Sequence, residues 1–66
     1  MVQKVIEVVG ISNESFARAA ENAIKEAAKT VHNIKWAHVD SLDMQLDSAK
    51  VLQYRAATKI YFDVEH

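Results

Sequence analysis

Residues 13–31 read NESFARAAENAIKEAAKTV, and the spacing of their apolar positions decides the architecture. Phe16, Ala19, Ala20, Ala23, Ile24, Ala27 and Val31 recur at intervals of three and four, whereas Glu14, Arg18, Glu21, Lys25, Glu26 and Lys29 take the remaining surface. That period predicts one amphipathic helix from Asn13 to about Val31, with Ser12 as its N-cap. At ~1.5 Å per residue such a helix is roughly 28 Å long. Alanine dominates the stripe, which predicts a helix lying close to the surface it covers.

The segments on either side carry the period of strands. Before the helix, Val2, Val5, Ile6, Val8 and Val9 are apolar and mostly β-branched, which predicts a strand from Val2 to Val9 that Gly10 ends. After the helix, His32 and Asn33 read as a turn into a strand from Ile34 to Leu46. Its apolar phase changes midway, because Ala37 and Val39 fall on one parity and Leu42, Met44 and Leu46 on the other. A bend or bulge near Asp40–Ser41 accounts for the change. Asp47 to Lys50 reads as a hairpin turn, and Val51 to Val64 alternates cleanly. Leu52, Tyr54, Ala56, Thr58, Ile60, Phe62 and Val64 point one way; Gln53, Arg55, Ala57, Lys59, Tyr61 and Asp63 point the other. The fold class is therefore α+β, in the order β-α-β-β, with a three-stranded antiparallel sheet packed on one long helix.

Composition bounds what such a fold does. Sixty-six residues make one small domain, 1–66, and 50% hydrophobic with 26% charged residues is a globular balance. With no cysteine there are no disulfides, thiolate metal sites or cysteine nucleophiles. No stretch approaches the ~20 apolar residues of a membrane span, and no signal segment is visible, so cytoplasmic residence is expected. A net charge of −1 gives no footprint for nucleic acid or an anionic membrane. A domain of ~60 residues buries only ~60% of its unfolded surface, and the hairpin strands reach roughly 43 Å, beyond what the helix covers. Assembly into a homo-oligomer is the remedy left.

Few residues offer chemistry. Trp36, the lone tryptophan, shares a parity with His38 and Asp40 and is a candidate stacking platform, as well as a candidate interface residue. Arg55 and Gln53 project from the polar side of the last strand, where a guanidinium can donate to ring carbonyls or pair with a carboxylate. His32, His38 and His66 lack metal-ligand spacing, and Asp40, Asp43 and Asp47 do not match a calcium loop, so no metal ligands are assigned. A carboxylate repeated about a symmetry axis remains an alternative ion site. Ser12, Ser15, Ser41 and Ser48 have no recognisable base partner, and one glycine excludes a phosphate loop, so no catalytic residues are expected.

Taken together, these strings resemble the dodecin family over essentially the whole chain. The resemblance is carried by Val9-Gly10-Ile11-Ser12 leading into Glu14-Ser15-Phe16, by the alanine-rich helix, by Asn33-Ile34-Lys35-Trp36-Ala37-His38-Val39, and by Tyr54-Arg55 through Tyr61-Phe62. It implies a hollow homododecamer that stores or sequesters a flavin, FMN or riboflavin, without turning it over. It also implies that Trp36 stacks on the isoalloxazine ring opposite a symmetry-related copy. Two positions depart from the pattern. The family's flavin-contacting glutamine is here Arg55, leaving Gln53 as a second candidate for the ring edge, and an arginine of the second strand is here Asp43. The run Asp43 to Ala49 with Tyr54-Arg55 also resembles a subgroup associated with calcium, so the alternative is a structural or calcium-binding oligomer without flavin function.

Overall fold

The computed structural model describes residues 1–64, so the reading of His66 lies outside the described residues. The chain runs β1 (Val2–Ser12), α1 (Phe16–Ala27), β2 (Ile34–Asp47) and β3 (Lys50–Val64). The sheet order is β1-β3-β2, and both pairings are antiparallel. The expected β-α-β-β order and three-stranded antiparallel sheet are thus present, with the cleanly alternating strand in the centre.

Two boundaries differ from expectation around Gly10. The first strand does not stop there; Gly10 pairs with Ala56 and the ladder continues to Ser12. The reason for glycine is space rather than conformation, since its φ is not positive. A Cβ on Gly10 would overlap the carbonyl oxygen of Ala19 and lie 2.8 Å from the Ala23 nitrogen. The helix backbone therefore rests directly on the strand, as the alanine stripe implied. The N-cap is Ser15 rather than Ser12. Ser15 is extended, with φ −167° and ψ 164°, and its Oγ accepts from Arg18 N–H at 3.0 Å. Ser12 secures the preceding turn instead, its Oγ accepting from Glu14 N–H at 2.9 Å.

The helix is also shorter than its stripe. It ends at Ala27, after 12 residues, so it is about 18 Å long rather than 28 Å. The Lys29 and Thr30 N–H groups donate to the carbonyls three residues back, at 3.2 Å each, a tightened last turn ahead of β-branched Thr30 and Val31. Asn33 then takes φ 63°, a left-handed conformation that asparagine tolerates, and its carbonyl accepts from Asp63 N–H at 3.0 Å as β2 begins.

Between helix and sheet lie Ala19, Ala23, Ala27, Ala56 and Ile60, all buried. Buried Thr58 joins them, its Oγ1 donating to the Val8 carbonyl at 2.7 Å. Phe16 meets Tyr54 edge to face, centroids 4.9 Å apart, and closes the end of this layer. The helix rests on β1 and β3 and barely reaches β2. The bulge expected near Asp40–Ser41 is present, since the register skips between Val39 and Ser41. It returns Leu42 and Met44, opposite Ala56 and Tyr54, to the face of Ala37 and Val39. That apolar row of β2 lies on the helix side yet beyond the helix, and Val39, Leu42 and Met44 stay about half exposed.

Candidate functional site

The face of the sheet away from the helix carries the expected site residues, and cross-strand register arranges them in rows. The first row holds Ile11, Arg55 and Asp43; the next Val9, Ala57 and Ser41; the next Glu7, Lys59 and His38; the last Val5, Tyr61 and Trp36. Cross-strand neighbours on one face have Cβ atoms about 5 Å apart, so each row is a set of contacting side chains.

Trp36 reaches this face because of a second bulge. Ile34 opposes Phe62 on the helix side, and Trp36 opposes Tyr61, the very next residue of β3. Lys35 is the extra residue. Were Lys35 paired regularly with Tyr61, Trp36 would oppose Ile60, share the face of Ile34 and point toward the helix layer. The indole instead stands 68% exposed on an open sheet surface. Two residues on, His38 Nε2 lies 3.7 Å from Asp40 Oδ1, and Lys59 Nζ lies 3.6 Å from Asp40 Oδ2.

Arg55 and Gln53 share an open cleft of about 420 Å³, lined also by Ile11, Asp43, Met44 and Gln45. Arg55 faces Asp43 across the ladder, Nη2 to Oδ2 3.3 Å, and Gln53 faces Gln45 in the same way. The structure therefore brings Arg55 and Gln53 together but does not bring them to Trp36. Arg55 and Tyr61 are six residues apart on β3, which places the Trp36 row about 20 Å from the cleft. Ile11, Met44 and Gln45 were not anticipated. Gln45 shares the parity of Asp43 and was readable on that ground; Ile11 enters only because β1 pairs with β3.

The arrangement offers an aromatic platform at one end and an amide-and-guanidinium hydrogen-bonding surface at the other. Ser12 and Ser15 hold backbone N–H groups. Among the described residues, no group of three or more His, Asp or Glu is placed to hold a metal ion, and no helix is long and apolar enough to cross a membrane.

Comparison with known proteins follows the same outline. The family model described as Dodecin matches residues 2–65. A calcium dodecin from Mycobacterium tuberculosis is 38% identical over 61 residues, spanning 92% of this chain and 86% of that protein. Its crystal structure, described as having a novel calcium-binding site, superposes with a TM-score of 0.83, covering 98% of this chain and 93% of that one. A dodecin from Thermus thermophilus is 30% identical over 64 residues, 97% of this chain and 93% of that protein. The structure of a dodecin from Streptomyces davaonensis superposes with a TM-score of 0.92 at 28% identity, covering 98% of this chain and 96% of that one.

Proposed function

The chain belongs to the dodecin family, and on that premise we propose that it is a non-enzymatic flavin-binding protein of the cytoplasm that stores FMN or riboflavin within a homo-oligomer, the dodecamer the resemblance implies. The observation that carries this reading is the Trp36 indole, 68% exposed on the helix-free face and turned there by the Lys35 bulge. An indole costs little conformational entropy to hold and presents a flat apolar surface, and stacking on a tricyclic ring adds about 1 kcal/mol beyond the area buried. The residues fit a flavin in kind: an aromatic platform for the ring, and the donors of Arg55 and the amide of Gln53 for a polar edge. Since one chain holds these groups about 20 Å apart, a single ring touches both sets only where copies meet.

The test is a fluorescence titration of ligand-free protein into riboflavin. Emission falls on binding to the natural chain, and Trp36→Ala weakens binding by roughly tenfold or more, the indole being the stacking partner. Unchanged quenching in Trp36→Ala removes the reading.

The mycobacterial relative favours a second reading, a structural or calcium-binding oligomer. Asp43 and Asp47 are its candidate oxygen donors. It is tested by thermal melting with calcium and with chelator. A melting temperature raised by calcium in the natural chain and insensitive to it in Asp43→Asn or Asp47→Asn supports this reading against the first.

A further inference from the structure

The row that presents the indole holds a second aromatic residue. Tyr61 lies on β3 directly opposite Trp36, and on its other side opposite Val5 of β1. The buried positions of β3 are Ala56, Thr58 and Ile60, so Tyr61 stands on the helix-free face, where it is half-buried. Among the described residues the ring pair in contact is Phe16 with Tyr54, toward the other end of β3. Tyr61 therefore sits beside the indole without covering its stacking face. The polar side chains that flank this row on β2 and β3 are engaged elsewhere. His38 Nε2 and Lys59 Nζ lie 3.7 and 3.6 Å from the two carboxylate oxygens of Asp40, and Asp63 Oδ1 accepts from Gln3 Nε2 at 2.9 Å. Among the described residues no side-chain hydrogen bond holds the Tyr61 hydroxyl.

We propose that Tyr61 orients the ligand on Trp36: its phenolic hydroxyl hydrogen-bonds the polar edge of a heteroaromatic ring stacked on the indole. The proposal rests on the flavin reading above and adds a residue to it. Cross-strand neighbours have Cβ atoms about 5 Å apart, less than the length of a fused three-ring system, so a ring that covers the indole extends over the tyrosine. A hydroxyl covered without a partner loses its bond to water and gains nothing in return. The dione edge of an isoalloxazine carries carbonyl acceptors and an N–H donor, and a phenol meets either, because it both donates and accepts. Stacking alone leaves a ring free to turn in its plane; one directional bond at its edge fixes the turn. Tyrosine suits the task, since only two torsions need ordering, and β3 is the central strand, held on both sides. Arg55 and Gln53 lie about 20 Å from Trp36 in the same chain and meet the ring only from a second copy. Tyr61 meets it from the copy that stacks it.

The experiment titrates riboflavin and lumiflavin, which keeps the ring system and replaces the sugar chain by a methyl group, with the natural protein and with Tyr61→Phe, following quenching of flavin emission. Tyr61→Phe removes the hydroxyl and keeps the ring. It weakens both ligands by the same factor, about three- to tenfold, the range of one neutral hydrogen bond. The melting temperature and the emission maximum of Trp36 in the ligand-free variant stay at their natural values, which separates a lost ligand contact from a displaced indole. Equal affinities in the natural protein and Tyr61→Phe overturn the proposal and leave the flavin reading standing on Trp36→Ala. Weakening of riboflavin alone overturns it too, since the hydroxyl then meets the sugar chain. So does a shifted indole emission in ligand-free Tyr61→Phe, which makes the tyrosine a support for Trp36. Absence of quenching with both ligands in the natural protein overturns the flavin reading and this proposal together.

Discussion

Gly10 is where strand and helix come closest, and the whole molecule is organised around that approach. Its ladder partner is Ala56, and the backbone of Ala19 and Ala23 lies above it. Four small residues meeting at one place allow the helix to sit lower than any branched side chain permits. Gly10→Ala introduces a Cβ that meets backbone atoms on the far side, and backbone cannot rotate away as a side-chain tip can. The helix has to lift or slide, opening the layer around Ile60 and Thr58. Overpacking of this kind costs about 3 kcal/mol in a tight site, a large fraction of what a domain this small holds. Thermal melting monitored by circular dichroism reads the loss. A Gly10→Ala protein melting within a degree of the natural one contradicts the close approach.

At the scale of elements, the strands were legible where the pattern carried a phase and illegible where it did not. The last strand's parity from Tyr54 to Ile60 gave its buried face directly. The bulge at Asp40–Ser41 was readable because it separates apolar residues of opposite parity. The bulge at Lys35 was not, since Ile34 and Trp36 have the same parity and are both apolar whether or not an extra residue intervenes. Gly10 was read as a stop because glycine marks turns as often as it marks close contact. The helix was overextended at both ends: Ser12 and Ser15 are both good caps by composition, and Val31 continues the stripe without continuing the helix. The hairpin was expected from Asp47 to Lys50, and its two-residue loop puts Ser48 at φ 54°. The side-chain partners at the site follow from pairing. Arg55 and Gln53 share a parity in the sequence, but Asp43 and Gln45 become their partners only through the β2–β3 register, which no local pattern states.

At the scale of the molecule, length mismatch dictates behaviour. The helix is about 18 Å long, and β3, with 15 residues, is about 50 Å. The molecule extends 51 Å in its longest dimension and only 13 Å in its shortest, so much of the sheet lies beyond the helix, and the hairpin tip past the Ser12–Tyr54 pair is a bare two-stranded ribbon. The hairpin's helix-side row of Val39, Leu42 and Met44 is about half exposed, and so are Val5, Val9 and Ile11 on the opposite face. Burying the remaining half of such a side chain contributes about 1 kcal/mol, and an isolated ribbon is marginal in water. Copies that cover one another's hairpins gain several such terms at once. Stability is then linked to association, and the melting temperature rises with protein concentration. Analytical ultracentrifugation at micromolar concentration finds an assembly, and Leu42→Asp, which places a charge in the uncovered row, lowers both the assembled fraction and the melting temperature. A monomer whose melting temperature is independent of concentration would show that one helix suffices for this sheet, and would leave Trp36 without a second copy to share its ligand.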